Sequence, residues 1–262
     1  MDAAKMMWLS QMGAGAMRNI KLTIEYDGGR YNGWQRLGKG ETDNTIENKL
    51  LEVIKKMTGE EVELHCGSRT EMGVHAYGQV ANFKTKSGLK LYEIKNYLNR
   101  YLPMDIAVIS VEEVSERFHA SLNAKSRTYL YRVAIGDAPS VFDRKYTYYC
   151  FDKPNPSLMK EAANKLIGKY DFKDFSSVKK NKSTVKEIMQ IDIYQDDKEL
   201  QITIQANDFL HNMARMLVST LLEIGLGTRP IDVIEKILDP KSMEEGSAPA
   251  SAQGMFLQEI QY

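Results

Sequence analysis

The stretch SRTEMGVHAYGQV, Ser68–Val80, brings an arginine, a carboxylate and a histidine into one short segment that Gly73 and Gly78 interrupt. The alternating run VANF, which begins at Val80, predicts a strand. A loop between regular elements is a common place for a rigid scaffold to present reactive groups, because its backbone is not committed to a ladder. The stretch therefore predicts a functional loop leading into a strand, with an ordinary charged surface loop as the alternative.

The residues around this loop predict alternating strands and helices in the first half of the chain. Ile20, Leu22 and Ile24 recur with period two, which is the pattern of a half-buried strand. The predicted elements are, in order, a strand over 19–26, a helix capped by Asn44 or Thr45, strands over 61–66 and 79–84, a helix over 91–101 and a strand over 105–114. This half therefore reads β-α-β-β-α-β.

The second half of the chain repeats this order. Asn155 and Pro156 carry the signature of a helix start, and Asp196-Asp197 suits a hairpin turn. The predicted elements are a strand over 127–133, a helix from Pro156, strands over 185–194 and 199–206, an apolar helix over 209–224, a short helix over 230–238 and a strand over 255–260. The order is again β-α-β-β-α-β, with one extra helix.

Two such units predict an α+β fold made of two ferredoxin-like subdomains, 18–115 and 116–262. Their antiparallel sheets are expected to join edge to edge into one continuous sheet with helices on one face. Residues 1–17 are expected to be an N-terminal extension that is disordered or foreign to the protein, and they are excluded from the fold. A broad, partly polar sheet with aromatic residues is a common RNA-binding surface.

Composition limits the partners that the chain can bind. Its 262 residues carry a formal net charge of zero, so a polyanion must be met by a local basic patch and not by a global field. Cys66 and Cys150 are the only cysteines and lack metal-ligand spacing, which predicts reduced thiols, no metal site and a cytoplasmic location. No apolar run approaches the roughly 18 residues that span a bilayer, so no membrane association is expected.

Six segments, SRTEMGVHAYGQV among them, occur in the same order as in the TruA family of tRNA pseudouridine synthases. The chain resembles this family from about Arg18 to Tyr262, and the resemblance implies the pseudouridine synthase fold. The other segments are EYDGGRYNGWQ (25–35), LNRYLPMDI (98–106), FHASLNAKSRTYLY (118–131), NDFLHNMAR (207–215) and APASAQGMFLQEIQY (248–262). Each alone is weakly specific, whereas six in register are not expected by chance.

The resemblance implies isomerisation of uridine to pseudouridine in the anticodon arm of tRNA, by a homodimer without cofactor or metal. This chemistry needs a carboxylate beside a flipped-out nucleotide, to attack it or to move a proton. The family has an Asp directly after Arg-Thr, and Glu71 holds that position here. By resemblance, Arg215 pairs with this carboxylate in a buried ion pair, and Tyr129 stacks on the uracil.

The resemblance and the local charge also give candidate RNA contacts. Arg69 matches the arginine that helps to extrude the target base, a task that suits a planar cation. His75 either contacts RNA or is a satisfied structural histidine. The remaining candidates are basic residues that either contact phosphate or lie on solvated surface: Arg127, Lys179, Lys180 and Lys182.

Three positions depart from the family pattern. Besides Glu71, Ser121 stands where the family usually has Arg, and Tyr170 stands where it commonly has His. These departures favour, as the alternative, a TruA-like paralogue that binds RNA without turnover or modifies a different RNA. A ferredoxin-like repeat protein with no RNA partner is a third possibility, and salt-sensitive tRNA binding would exclude it.

Overall fold

The computed structural model describes residues 16–35, 44–177 and 183–262, and their strands form one ten-stranded sheet. The strands are β1 (Arg18–Tyr26), β2 (Leu64–Cys66), β3 (His75–Thr85), β4 (Ile106–Val114), β5 (Ser126–Ile135), β6 (Tyr148–Cys150), β7 (Gly168–Asp171), β8 (Val185–Gln195), β9 (Glu199–Ala206) and β10 (Met255–Gln261). The helices are α1 (Ile46–Thr58), α2 (Leu91–Tyr101), α3 (Pro156–Leu166), α4 (Met213–Gly225) and α5 (Val233–Leu238).

The sheet runs in the order β4-β1-β3-β10-β5-β9-β8-β7, with β2 paired to β3 and β6 paired to β5. In the first half, strands β4, β1, β3 and β2 lie side by side in that order. The second half repeats this order with β10, β5, β9 and β8, so both halves have the ferredoxin-like arrangement. The predicted α+β class and the continuous, mostly antiparallel sheet are therefore confirmed.

The two halves join through a short parallel pairing of β10 with β3, in which Phe256 faces His75 and Leu257 faces Ala76. Gly78 allows the close approach, because a Cβ at this position would lie 2.6 Å from the carbonyl oxygen of Gln258. Any larger residue would push the strands apart at the joint.

One face of the sheet is covered by helices. Ile20, Leu22 and Ile24 on β1 are fully buried, whereas Lys21 and Glu25 between and beyond them are at least partly exposed. Strand β9 alternates in the same way. Helix α2 packs against β4, and α3 packs against both β8 and α4. The apolar faces of these helices and strands form the core.

Two helix starts follow the expected capping chemistry. The Thr45 hydroxyl accepts from the backbone N–H of Asn48 and caps α1. Asn155 caps α3 through its side-chain oxygen, and Pro156 occupies the first turn. In the described ranges, none of the helices has the length and apolar character that a membrane crossing requires.

Several element bounds differ from the predictions. Strand β3 begins at His75 and not at residue 79, because β1 and β10 both pair with its first residues. Helix α4 begins at Met213 and not at residue 209, because Asn212 has a left-handed backbone. The short strands β6 and β7 were not predicted, since each pairs on one side only.

Candidate active site

The loop between β2 and β3, residues 67–74, is held at its base by the side chain of Gln79. Gln79 is fully buried, and its Nε2 donates to the carbonyl oxygen of Ser68 at 2.6 Å. Its Oε1 accepts from the backbone N–H groups of Ser68 and Val80 at 3.3 and 3.1 Å. One amide side chain therefore replaces the ladder partners that the loop lacks.

A second contact fixes the middle of this loop. The hydroxyls of Tyr26 and Thr70 are hydrogen bonded at 2.8 Å, and the backbone N–H of Trp34 donates to the Thr70 carbonyl at 3.0 Å. Gly33 has a φ of 86°, and a Cβ there would lie 2.7 Å from the Thr70 oxygen. The segment under the loop therefore requires glycine at position 33, both for its backbone angle and for space.

The carboxylate of Glu71 lies at the start of helix α4. Its Oε1 accepts a hydrogen bond from the backbone N–H of Asn212 at 2.9 Å, across 141 residues of sequence. Asn212 directly precedes the helix, so the carboxylate faces the positive end of the helix dipole. Because Glu71 itself is only partly buried, its carboxylate is held in place and remains accessible.

The predicted ion pair between Arg215 and Glu71 is wrong in this structure. Both side chains are described, and no ion pair joins them within 4.0 Å across the described ranges. Arg215 Nε donates to the carbonyl oxygen of Ala250 at 2.6 Å, and a long bond of 3.4 Å connects Nη1 to Asn212 Oδ1. The segment around Ala250 holds the guanidinium, and Asn212 contacts both charged side chains.

Tyr129 lies beside the loop on strand β5. Its hydroxyl is hydrogen bonded to Ser68 Oγ at 2.8 Å, and its ring meets Phe209 edge to face with centroids 5.0 Å apart. Burial raises the pKa of Tyr129 above its usual range, and the negative charge of Glu71 adds to this effect. The phenol therefore stays protonated at neutral pH, in the electrostatic neighbourhood of the carboxylate.

Arg69 is exposed, two residues before Glu71. It forms neither a hydrogen bond nor an ion pair with any residue in 16–35, 44–177 or 183–262. Its guanidinium is therefore available to a ligand, as expected for a residue that contacts RNA.

Arg127 does not present its charge to solvent, which corrects the predicted phosphate contact. Its side chain is 7% exposed, and a nearby carboxylate, Asp208, lies 3.7 Å from Nε. The guanidinium donates to four carbonyl oxygens, those of Gly67, Ser121, Ala124 and Asn207. With these bonds made, Arg127 ties the loop at Gly67 to two other connections of the fold.

His75 is also structural, which favours the second of its two predicted roles over a contact with RNA. The residue is 2% exposed, its Nδ1 accepts from the Gly28 N–H at 3.1 Å, and its ring stacks on Phe256 with centroids 4.8 Å apart. It lines a groove of about 540 Å³ at the ends of β1, β3 and β10, whose lining does not include Glu71. Three other predicted contacts, Lys179, Lys180 and Lys182, lie outside the described residues.

Sequence analysis missed the residues that hold the carboxylate. Gln79 had a signal, since a polar residue at an inward position of a predicted strand needs a buried partner. Asn212 had one as well, because Asn directly before an apolar run is typical of a helix N-cap. In the described part of the chain, no group of three or more His, Cys, Asp or Glu side chains is placed to hold a metal ion.

The site gathers a fixed carboxylate and an accessible guanidinium on one loop, with a buried, protonated phenol hydrogen bonded to that loop. A nucleotide turned out of its stack needs such groups: a cation to take its place, an aromatic ring beside the base and a carboxylate at the glycosidic bond. The site therefore suits chemistry on an extruded nucleotide.

Comparison with known proteins agrees with this chemistry. The sequence profile of a family described as tRNA pseudouridine synthase matches residues 22–123 and 162–262. A protein of Bacillus cereus named tRNA pseudouridine synthase A 2 is 44% identical over 94% of this chain and 100% of its own length. One of Clostridium tetani, named tRNA pseudouridine synthase A 1, is 44% identical with the same coverage. A Bacillus relative named tRNA pseudouridine synthase A is 42% identical over 94% of the chain and its own full length. The TruA resemblance is thereby confirmed, and the chain belongs to the tRNA pseudouridine synthase family.

Proposed function

We propose that this chain isomerises uridine to pseudouridine in the anticodon stem-loop of tRNA, in the cytoplasm and without a cofactor, with Glu71 as the acting carboxylate. One observation carries the proposal: Glu71 sits on a loop fixed by Gln79 and Thr70, with its Oε1 2.9 Å from the Asn212 N–H. A carboxylate fixed in this way, and still accessible, meets the geometric need of the reaction.

The reaction is an isomerisation and balances without an oxidant or a reductant. The bond between C1′ of the ribose and N1 of uracil breaks, the base turns over, and a bond forms between C1′ and C5. The proton on C5 leaves to solvent, and N1 ends with a proton. A carboxylate serves this sequence either by covalent attack or by removing a proton from the sugar. Both routes require Glu71 to be ionised and fixed.

Two other side chains complete the proposed site. Arg69, exposed and without a partner in the described part of the chain, takes the place that the target base vacates. Tyr129 contributes its ring next to the base, and its bond to Ser68 Oγ keeps the ring in register with the loop. Arg215 acts through Asn212 and Ala250, without touching the carboxylate.

The proposed enzyme is a homodimer. Strand β4 is an edge of the sheet, with Ile109 half exposed on it and Met104 fully exposed just before it. An exposed edge with large apolar side chains favours pairing with another chain. A second copy of this chain is the proposed occupant.

Tritium release from tRNA transcripts labelled at uridine C5 tests the function. The wild-type chain is expected to release tritium, and Glu71→Gln is expected to abolish release, because an amide is neither a nucleophile nor a base at this position. The Gln variant keeps the size of the side chain and an oxygen that accepts from Asn212, so its fold and tRNA affinity are expected to be retained.

The same assay separates the alternatives. Transcripts with single anticodon-arm uridines replaced by cytidine identify the modified position. A chain that binds tRNA with steep salt dependence but releases no tritium, with or without Glu71→Gln, would be an RNA-binding paralogue. A chain without salt-sensitive binding would have no RNA role at all.

A further inference from the structure

Asn212 has an unusual backbone. With a φ of 63° and a ψ of 0°, it is the single non-glycine residue with a positive φ among the described residues. Asparagine tolerates this left-handed region better than most residues, yet the region is disfavoured for any side chain with a Cβ. A residue held there is a reason to look for function.

The side chain of Asn212 explains how this backbone is held. In most helices an N-cap side chain accepts from the first turn, but Asn212 makes no such bond. Its Nδ2 donates to Ser177 Oγ at 3.0 Å, and its Oδ1 accepts the long bond from Arg215 Nη1. The amide nitrogen and the amide oxygen of Asn212 are therefore each held by a different residue.

The result is that the backbone N–H of Asn212 points at Glu71. The N–H donates to Glu71 Oε1 at 2.9 Å, while Arg215 donates to the Ala250 carbonyl and not to the carboxylate. A main-chain donor at the positive end of a helix stabilises an ionised carboxylate without a buried counter-charge. The reach of the side chain matters, because an Asp at position 71 would be shorter by one methylene, or about 1.5 Å.

We propose that Asn212 is a positioning residue for the reaction: its left-handed backbone directs an N–H at the carboxylate of Glu71, and the length of Glu71 is matched to this donor. The predicted effect on turnover rests on the proposed function. The hydrogen bond between the Asn212 N–H and Glu71 does not depend on activity. Arg215, in this arrangement, acts on the carboxylate through Asn212.

The contact is tested by the amide resonance of Asn212 in two-dimensional NMR spectra. Glu71→Ala and Glu71→Asp are both expected to move the Asn212 amide proton upfield, since one removes the acceptor and the other withdraws it. The amide of Asn155, which donates to the Gly225 carbonyl at the other end of α4, about 20 Å away, is the reference and is expected to stay in place. An unmoved Asn212 amide in Glu71→Ala would overturn the contact, and an unmoved one in Glu71→Asp would overturn the match in length.

The positioning role is tested by kinetics on tRNA labelled at uridine C5. Asn212→Val disfavours the left-handed backbone, so kcat is expected to fall about a hundredfold with KM for tRNA within about threefold. Asn212→Gly adopts the same backbone and keeps the N–H, and is expected to restore kcat at least tenfold above the Val variant. Asn155→Val makes the same substitution at the residue that precedes α3 and controls for the general effect of Asn-to-Val at a helix start.

Three outcomes would contradict the positioning role: equal kcat for the Gly and Val variants, a loss confined to KM, or the same loss of kcat in Asn155→Val. A wild-type chain that releases no tritium contradicts the proposed function instead. The amide shifts then still decide whether Asn212 holds Glu71, so the two failures are distinguishable.

Discussion

At the scale of single residues, the carboxylate and its surroundings differ in how well sequence predicts them. The positions of Glu71, Arg69 and Tyr129 follow from motifs that align along the chain. The burial of Arg127 and His75 does not follow from the sequence, because the sequence left open whether Arg127 contacts phosphate or lies on solvated surface and whether His75 contacts RNA or is structural. In the structure, four carbonyls surround Arg127, and His75 stacks on Phe256. Such saturation depends on distant segments, which no local pattern reports.

His75 makes stability depend on pH. Burial lowers its pKa below the ordinary value of 6.5, outweighing the nearby Asp27 carboxylate, whose Oδ1 lies 3.0 Å from Nδ1. The unfolded chain therefore binds more protons below about pH 6.5, and the free energy of unfolding falls as the pH decreases. Between pH 6.5 and 5.5 this group contributes a loss of at most about 1 kcal/mol.

Urea unfolding of the wild-type chain and of His75→Gln at pH 7.5 and 5.5 measures this effect. The variant is expected to lose less stability on acidification than the wild type. His211→Gln serves as the control, since that residue is exposed. An equal loss in His75→Gln and the wild type would show that the ring binds protons equally in the folded and unfolded chains, which would contradict the lowered pKa.

At the scale of elements, the order of the main strands and helices was predictable, whereas the short strands β6 and β7 and some element ends were not. Helix α4 was predicted to start at 209 but starts at Met213, because the left-handed Asn212 ends the preceding turn. Strand β3 was predicted to start at 79 but starts at His75, because strands from both halves pair with its first residues. Period-two and helical patterns locate an element, but its first residue is set by partners that are remote in sequence.

The loop over 67–74 is an element whose base is held by Gln79. Replacement by Leu in Gln79→Leu removes the side-chain acceptor of the Ser68 and Val80 N–H groups and the donor to the Ser68 carbonyl. We expect this to lower the free energy of unfolding by about 1–3 kcal/mol. Because Glu71 is then less well held, kcat is expected to fall at least about tenfold.

Urea denaturation and tritium release on the same preparations check both parts of this expectation. Gln190→Leu is the matched control, because Gln190 is exposed on strand β8 and, among the described residues, its side chain bonds only Asp192. A Gln79→Leu variant with unchanged kcat would show that the loop keeps its geometry without the amide. Equal destabilisation in both variants would remove the special role of Gln79.

At the scale of the whole molecule, the unsupported edge at β4 leads to the expectation of a dimer. One chain has a mass of 29.8 kDa, so light scattering during size exclusion is expected to give about twice this value. Introducing charge in Ile109→Lys at the edge is expected to shift the species toward the monomer mass. Thr203→Lys, on the partly exposed side of a central strand, is the control. A monomer in the wild type would contradict the proposed assembly.

The parallel pairing of β10 with β3 has a consequence for biosynthesis. A ribosome makes β3 and then about 170 further residues before β10, from Thr85 to Met255, which takes on the order of 10 s. During this interval the nascent chain exposes the β3 edge, and the Ala250 carbonyl that holds Arg215 does not yet exist. The proposed site is therefore assembled only after nearly all of the protein has been translated, so a prematurely released fragment would carry the Glu71 loop without a completed site.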